Sequence, residues 1–164
     1  MRVFFLPNFI TIIIFCLLWP LFQVCAALFC MKIKEEHLQS QSYWFREHKC
    51  EYHGRLYLRL GIRKWKRFLP DGGAVVQGGY PKKRLTDFSQ DNLNRFLVES
   101  CRAELSHWLA ILPFWIFGLF SSIEVIWIML LYALAVNLPC IMAQRFNRPR
   151  IRASITQHNA LRKK

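Results

Sequence analysis

Residues 105–143 read LSHWLAILPFWIFGLFSSIEVIWIMLLYALAVNLPCIMA, and Glu124 is the only Asp, Glu, Lys or Arg among them. Ser121-Ser122-Ile123-Glu124 splits the stretch into two apolar halves. A membrane-spanning helix needs about 20 apolar residues. The first half, about 105–121, is slightly short by that measure, and the second, about 123–143, is long enough. A connection of two to four residues permits only an antiparallel helical hairpin or a re-entrant pair, so both outer ends lie on one side. The expected fold class is therefore all-α, a small integral membrane protein ending in a transmembrane helical hairpin.

Outward from the hairpin, the chain divides by composition. Residues 1–31 are almost wholly apolar, interrupted by Pro7 and Pro20, and are expected to form an N-terminal transmembrane helix. A secretory signal is the rival reading, with Arg2 ahead of the apolar run and Val24-Cys25-Ala26 as a loose cleavage site. Signal cores run about 7–15 residues, roughly half this length. Residues 32–104 form a basic, mixed-charge segment expected at the membrane interface. Its centre is punctuated by Gly61, Pro70-Asp71-Gly72-Gly73, Gly78-Gly79 and Pro81, which read as turns. Tracts 35–60 and 85–104 are helix-compatible, and Asp87 or Ser89 is expected to cap the second. There Leu93, Phe96, Leu97, Cys101 and Leu105 recur at helical spacing. Residues 144–164 are a basic tail.

The net charge is +13, although 54% of residues are apolar. The two properties lie in separate blocks, which suits spans joined by basic loops and not a soluble domain or a nucleic-acid-binding protein. Of the 23 Lys and Arg residues, 22 fall in segments 32–104 and 144–164. The hairpin puts both segments on one side, and the excess of positive charge makes that side cytoplasmic. The first helix then enters from outside, giving three spans in the cell membrane, with anionic lipid headgroups as partners of the basic segment. The six cysteines include no C-x-x-C pair or zinc spacing, and they are read as reduced and mostly structural. No metal or cofactor is expected.

Arg102-Ala103-Glu104-Leu105-Ser106-His107-Trp108 is the sharpest local feature. Glu104 and His107, three residues apart, are neighbours on a helix and share the side of Leu93, Phe96 and Leu97. Ionisable groups on an inward face near a membrane entry are costly and point to function. A carboxylate beside an imidazole would hold its tautomer and suit it to deprotonate an alcohol. The alternative is a buried polar pair that locks helices together. With the turn near residue 122, hairpin positions summing to about 245 share a depth, which brings Asn137 level with His107. Asn137 is a candidate substrate contact or an inter-helix hydrogen bond. A second cluster holds His53, Arg63, Lys64, Lys66 and Asp71. His53 with Asp71 is a rival base-and-orienter pair. The cations suit an anionic donor's phosphates or a headgroup patch. Trp108 and the other hairpin aromatics would line a groove for a long planar lipid. No recognised hydrolase, nucleotide-binding or H-x-x-x-x-D acyltransferase motif is present.

Several strings resemble one family, the glycosyl-4,4'-diaponeurosporenoate acyltransferases of staphyloxanthin-type C30 carotenoid biosynthesis. They are His53-Gly54-Arg55-Leu56-Tyr57, Arg63-Lys64-Trp65-Lys66, Leu69-Pro70-Asp71-Gly72, Arg102 to Trp108, Ile111-Leu112-Pro113, Ala135 to Pro139, and Gln144-Arg145-Phe146-Asn147-Arg148-Pro149-Arg150. The resemblance runs from residue 1 to about 152. It implies a membrane O-acyltransferase that esterifies a sugar hydroxyl of a glycosyl apocarotenoid acceptor, with acyl-CoA or acyl carrier protein as donor. His53, Asp71, Glu104, His107, Asn137 and Arg148 lie on its motifs, Arg148 as a candidate substrate contact. The reading in a different class is a non-catalytic membrane scaffold or lipid-binding protein of the same pathway.

Overall fold

The computed structural model describes residues 3–69 and 87–162, and the side chains of 3–160 within that range. Among the described residues five α-helices form and no strand occurs. They are α1 (Asn8–Met31), α2 (Arg55–Arg59), α3 (Ile62–Trp65), α4 (Gln90–Ile111) and α5 (Ile123–Arg162). Short 3₁₀ turns cover Glu35–His37, Lys49–Gly54 and Lys66–Phe68, and a longer one covers Leu112–Leu119.

The hairpin is present, with α4 and its 3₁₀ continuation as the first arm and α5 as the second. Pro113 sits at the start of the 3₁₀ stretch, where it removes a donor that α-helical pairing would need. The tighter winding has a consequence for length. At about 1.5 Å per α residue and about 2.0 Å per 3₁₀ residue, residues 105–119 extend roughly 26 Å. That approaches the ~30 Å of a bilayer core, which the same residues as pure α-helix would miss by more. Two helices, α1 and α5, are long and apolar enough to cross a membrane. The basic tail is not a separate segment, because α5 continues through Pro139 and Pro149 to Arg162.

The α1 helix closes a three-helix bundle. At one end, the Val3 and Phe4 amides both donate to Leu119 carbonyl oxygen at 2.9 Å, and the Phe4 and Phe120 rings stack. At the other end, Arg102 caps α1: its Nη1 donates to the carbonyls of Cys30 (2.5 Å) and Ile33 (2.9 Å). Between these ends Trp19 stacks on Phe117, 5.0 Å between ring centroids, with Phe15 edge-on to the same ring. Ile111, Ala133 and Ile141 complete that core. Gly118 packs closely there, and a Cβ on it would overlap the Ile126 side chain, which would have to shift.

The tract 35–60, helix-compatible by sequence, is instead a chain of short turns. Tyr52, His53 and Gly54 all take positive φ, at 45°, 54° and 82°, which no right-handed helix can contain. Ser89 caps α4 by accepting from the Asn92 amide, while Asp87 accepts from the Ser89 amide one turn earlier.

Candidate active site

The polar residues gather at the end of the bundle opposite the hairpin turn, in two clusters. In the first, Glu104 is buried to 1% exposure, on the face of α4 that meets α5. Its Oε1 accepts from Arg145 Nε at 2.6 Å and from Trp108 Nε1 at 3.3 Å, and Oε2 pairs with Arg148 Nη2. Arg145 and Arg148 are three apart on α5, so both reach the same carboxylate. Arg145 Nη1 goes on to Glu51 Oε1 (2.9 Å) and Nη2 to Trp44 carbonyl oxygen (3.0 Å). Arg148 Nη1 donates to Phe45 carbonyl oxygen at 2.8 Å. Tyr57 hydroxyl donates to Glu51 Oε1 at 2.7 Å. The cluster therefore ties the 44–57 turns, α4 and α5 together through two carboxylates and two guanidiniums.

Burial pushes the Glu51 carboxyl up, but hydrogen bonds from Arg145 and Tyr57 and the Arg145 charge outweigh it. The net position is below the usual glutamate range. Burial and the Glu51 hydrogen bond push the Tyr57 hydroxyl well above its ordinary value.

The second cluster lies deeper. His107 Nδ1 is 2.9 Å from Asn137 Oδ1, so the hairpin register does bring these two residues to one depth. Gln23 Nε2, on α1, donates to the same oxygen at 3.0 Å, and Asn137 Nδ2 donates to Ala133 carbonyl oxygen at 2.9 Å. Asn137 is fully buried. Eight residues along α5 separate it from Arg145, about 12 Å.

These contacts redistribute the roles expected from sequence. Glu104 sits one helical turn from His107 but gives its carboxylate to Arg145 and Arg148; the group at His107 Nδ1 is Asn137. Arg148, expected as a substrate contact, is only 2% exposed and pairs with Glu104. Asn137, also expected to contact substrate, has both ends of its amide engaged inside the bundle. Trp108 spends its indole N–H on Glu104 while its ring stays exposed.

His53 is 90% exposed and pairs with Glu47, Nδ1 to Oε2 at 3.3 Å, while its amide donates to the other Glu47 oxygen. Asp71 lies outside the described residues. Arg63 and Lys64 are exposed on α3. Lys66 turns inward, donating to Asn147 Oδ1 at 2.7 Å, 5.4 Å from the centre of the Phe146 ring. Burial and then the nearby Arg150 charge hold its ammonium below the usual lysine range.

Gln23, Glu47, Glu51, Tyr57 and Arg145 were missed as site residues by the sequence reading. Gln23 had a local signal, being the only amide side chain in the apolar run 9–31. Arg145 lay within the quoted Gln144 to Arg150 string, but nothing in the sequence joined it to Glu104.

The family model described as glycosyl-4,4'-diaponeurosporenoate acyltransferase matches residues 41–157, which hold the whole arginine–carboxylate cluster and the His107–Asn137 pair. A protein of that name from Staphylococcus aureus strain N315 is 32% identical over 148 residues, covering 89% of each chain. Proteins of the same name from strains USA300 and Newman are 31% identical over the same length and coverage. No solved structure matches. The chain belongs to the glycosyl-4,4'-diaponeurosporenoate acyltransferase family.

Proposed function

We propose that this acyltransferase moves a fatty acyl group from a thioester, acyl-CoA or acyl carrier protein, to a sugar hydroxyl of glycosyl-4,4'-diaponeurosporenoate. The reaction would take place at the cytoplasmic face of the cell membrane. The family supplies the acceptor class, and the single observation that carries the siting is the His107 imidazole. It lies where the apolar bundle gives way to the cationic end, the depth at which an amphipathic acceptor places its sugar.

In this reading His107 Nε2 takes the proton from the sugar hydroxyl as its oxygen attacks the thioester carbonyl. The tetrahedral adduct collapses, the C–S bond breaks, and the proton passes from the imidazolium to the departing sulfur. The polyene lies along the hairpin aromatics with the exposed face of Trp108 nearest the sugar. The exposed Arg63 and Lys64, with Arg55 and Arg59 on α2, meet the donor's phosphates or an acidic carrier, and they face anionic headgroups when no donor is bound.

A second reading gives the base role to His53, with Glu47 in the orienting place that the sequence offered to Asp71. It is favoured by the exposed imidazole and by the positive φ of Tyr52 and His53, a costly backbone state that marks functional turns.

Expression in a host that makes glycosyl-4,4'-diaponeurosporenoate tests both. The wild-type chain should add one acyl mass to the pigment, and absence of that gain rejects the function. His107→Ala at normal membrane abundance should abolish the gain and His53→Ala should keep it. The reverse pattern transfers the base to His53.

A further inference from the structure

Three side chains from three helices meet at one buried oxygen, Asn137 Oδ1, and their hydrogen-bonding chemistry leaves one consistent proton arrangement. The Ala133 carbonyl can only accept, so the Asn137 atom 2.9 Å from it is the amide nitrogen. Asn137 Oδ1 therefore points the other way, and an amide oxygen can only accept as well. Both groups that reach it must donate. Gln23 presents its amide nitrogen at 3.0 Å, and His107 presents Nδ1 at 2.9 Å. A neutral imidazole carries one N–H, so a proton on Nδ1 leaves the lone pair on Nε2.

We propose that Asn137 and Gln23 are positioning residues that hold His107 in its Nδ1–H tautomer, so that Nε2 is the basic nitrogen. This rests on the reading of His107 as the base. A reversed Asn137 amide would make Nδ1 an acceptor and put the proton on Nε2, which then cannot take a second one from an alcohol without first losing its own. Reversal is opposed at the Ala133 carbonyl: it would break that bond and set two carbonyl oxygens against each other, and Gln23 would have to reverse its own amide as well. Asn137 has no exposure, so no water repairs the loss. An amide does here what a carboxylate does in soluble enzymes, and it does so without burying a charge inside the membrane, where an ionised group is expensive. The α1 helix thereby becomes part of the site, because Gln23 donates to the oxygen that faces His107 Nδ1.

Imidazole ¹⁵N NMR on [¹⁵N]histidine-labelled full-length protein in lipid nanodiscs reads the tautomer directly, at a pH where histidine is neutral. The signals of His107 are identified by their loss in His107→Gln. The wild type should carry the proton on Nδ1, and Gln23→Leu and Asn137→Leu should introduce the Nε2–H form. Gln23→Leu should also lower kcat several-fold with KM and membrane abundance unchanged, the scale of one hydrogen bond. A proton on Nε2 in the wild type, or an unchanged pattern in both leucine variants, overturns the proposal. Acyl transfer retained in His107→Ala would overturn the base assignment instead, whichever nitrogen the spectra show protonated, so the two failures are distinguishable.

Discussion

Removing the Glu104 carboxylate leaves the Arg145 and Arg148 guanidiniums facing each other in a buried space, with Glu51 the remaining acid in their shared network. Breaking a buried pair from one side costs on the order of 3–5 kcal/mol, because the surviving charge is uncompensated. Glu104→Ala is therefore expected to lose most of its membrane abundance and to unfold at a markedly lower temperature in detergent. His107→Ala removes a hydrogen bond to a neutral amide and should cost only about 1 kcal/mol. Thermal unfolding of the two purified variants, set beside pigment acylation per unit protein, separates the roles. A Glu104→Ala chain as stable as wild type would remove the cluster from the stability argument. At this scale the sequence was legible only for near neighbours. The three-residue spacing of Glu104 and His107 was visible and suggested that they pair. The real partners of Glu104 are 41 and 44 residues further on, and only the meeting of α4 and α5 selects them over other arginines.

The Lys49–Gly54 turn carries the cost of an unusual backbone and recovers it through contacts to α5. Gly54 adopts φ +82°, and a Cβ there would sit 3.0 Å from Arg150 Nη1 and 3.5 Å from the Phe146 ring. Gly61 adopts a similar φ of +69° with nothing within 4 Å. Alanine at Gly61 should therefore cost the left-handed backbone alone, about 1–2 kcal/mol, and alanine at Gly54 should cost more. Equal melting temperatures for the two variants would show that the turn does not press on α5. The same turn holds Glu51, whose folded pKa lies below its unfolded value. Its contribution is fully present above the unfolded pKa of roughly 4.3 and is lost as pH falls from there through the folded pKa. Wild-type melting temperature should consequently fall below about pH 4.3, and Glu51→Gln, less stable at neutral pH, should show a flatter slope in that window. Parallel slopes would remove Glu51 from the acid response. These turns were not legible as such. Tract 35–60 contains no proline and one glycine, so nothing in its composition forbids a helix, and the break at Tyr52 and His53 lies between Glu51 and Gly54, which meet α5.

Across the whole molecule, blockwise composition carried the most information. The apolar run 105–143, its Ser121-Ser122 break and the placement of 22 cations yield a bundle with one apolar end and one basic end. The two ends are visible in the contacts: Val3 and Phe4 meet Leu119 at the turn, whereas Arg102, Glu51 and Arg145 gather at the other. Composition did not reveal that the short first arm is lengthened by 3₁₀ winding, which makes a crossing between Glu104 and Leu119 geometrically reasonable. That crossing has a direct test, because Cys50 is exposed beside the cationic end and Ser122 is exposed at the turn. Cys30, Cys101 and Cys140 are buried, and Cys16 and Cys25 are exposed on the apolar helix α1, where a charged reagent does not reach them within lipid. A membrane-impermeant maleimide should modify Cys50 in inside-out vesicles and leave it unmodified in right-side-out ones. In a Cys50→Ser background, Ser122→Cys should show the opposite preference. Opposite sides require an odd number of crossings between residues 50 and 122, and the α4–3₁₀ arm is the described segment that can supply one. Labelling of both positions from the same side would make that arm re-entrant, place the hairpin turn with the basic end, and move His107 away from the depth at which the acceptor's sugar is expected.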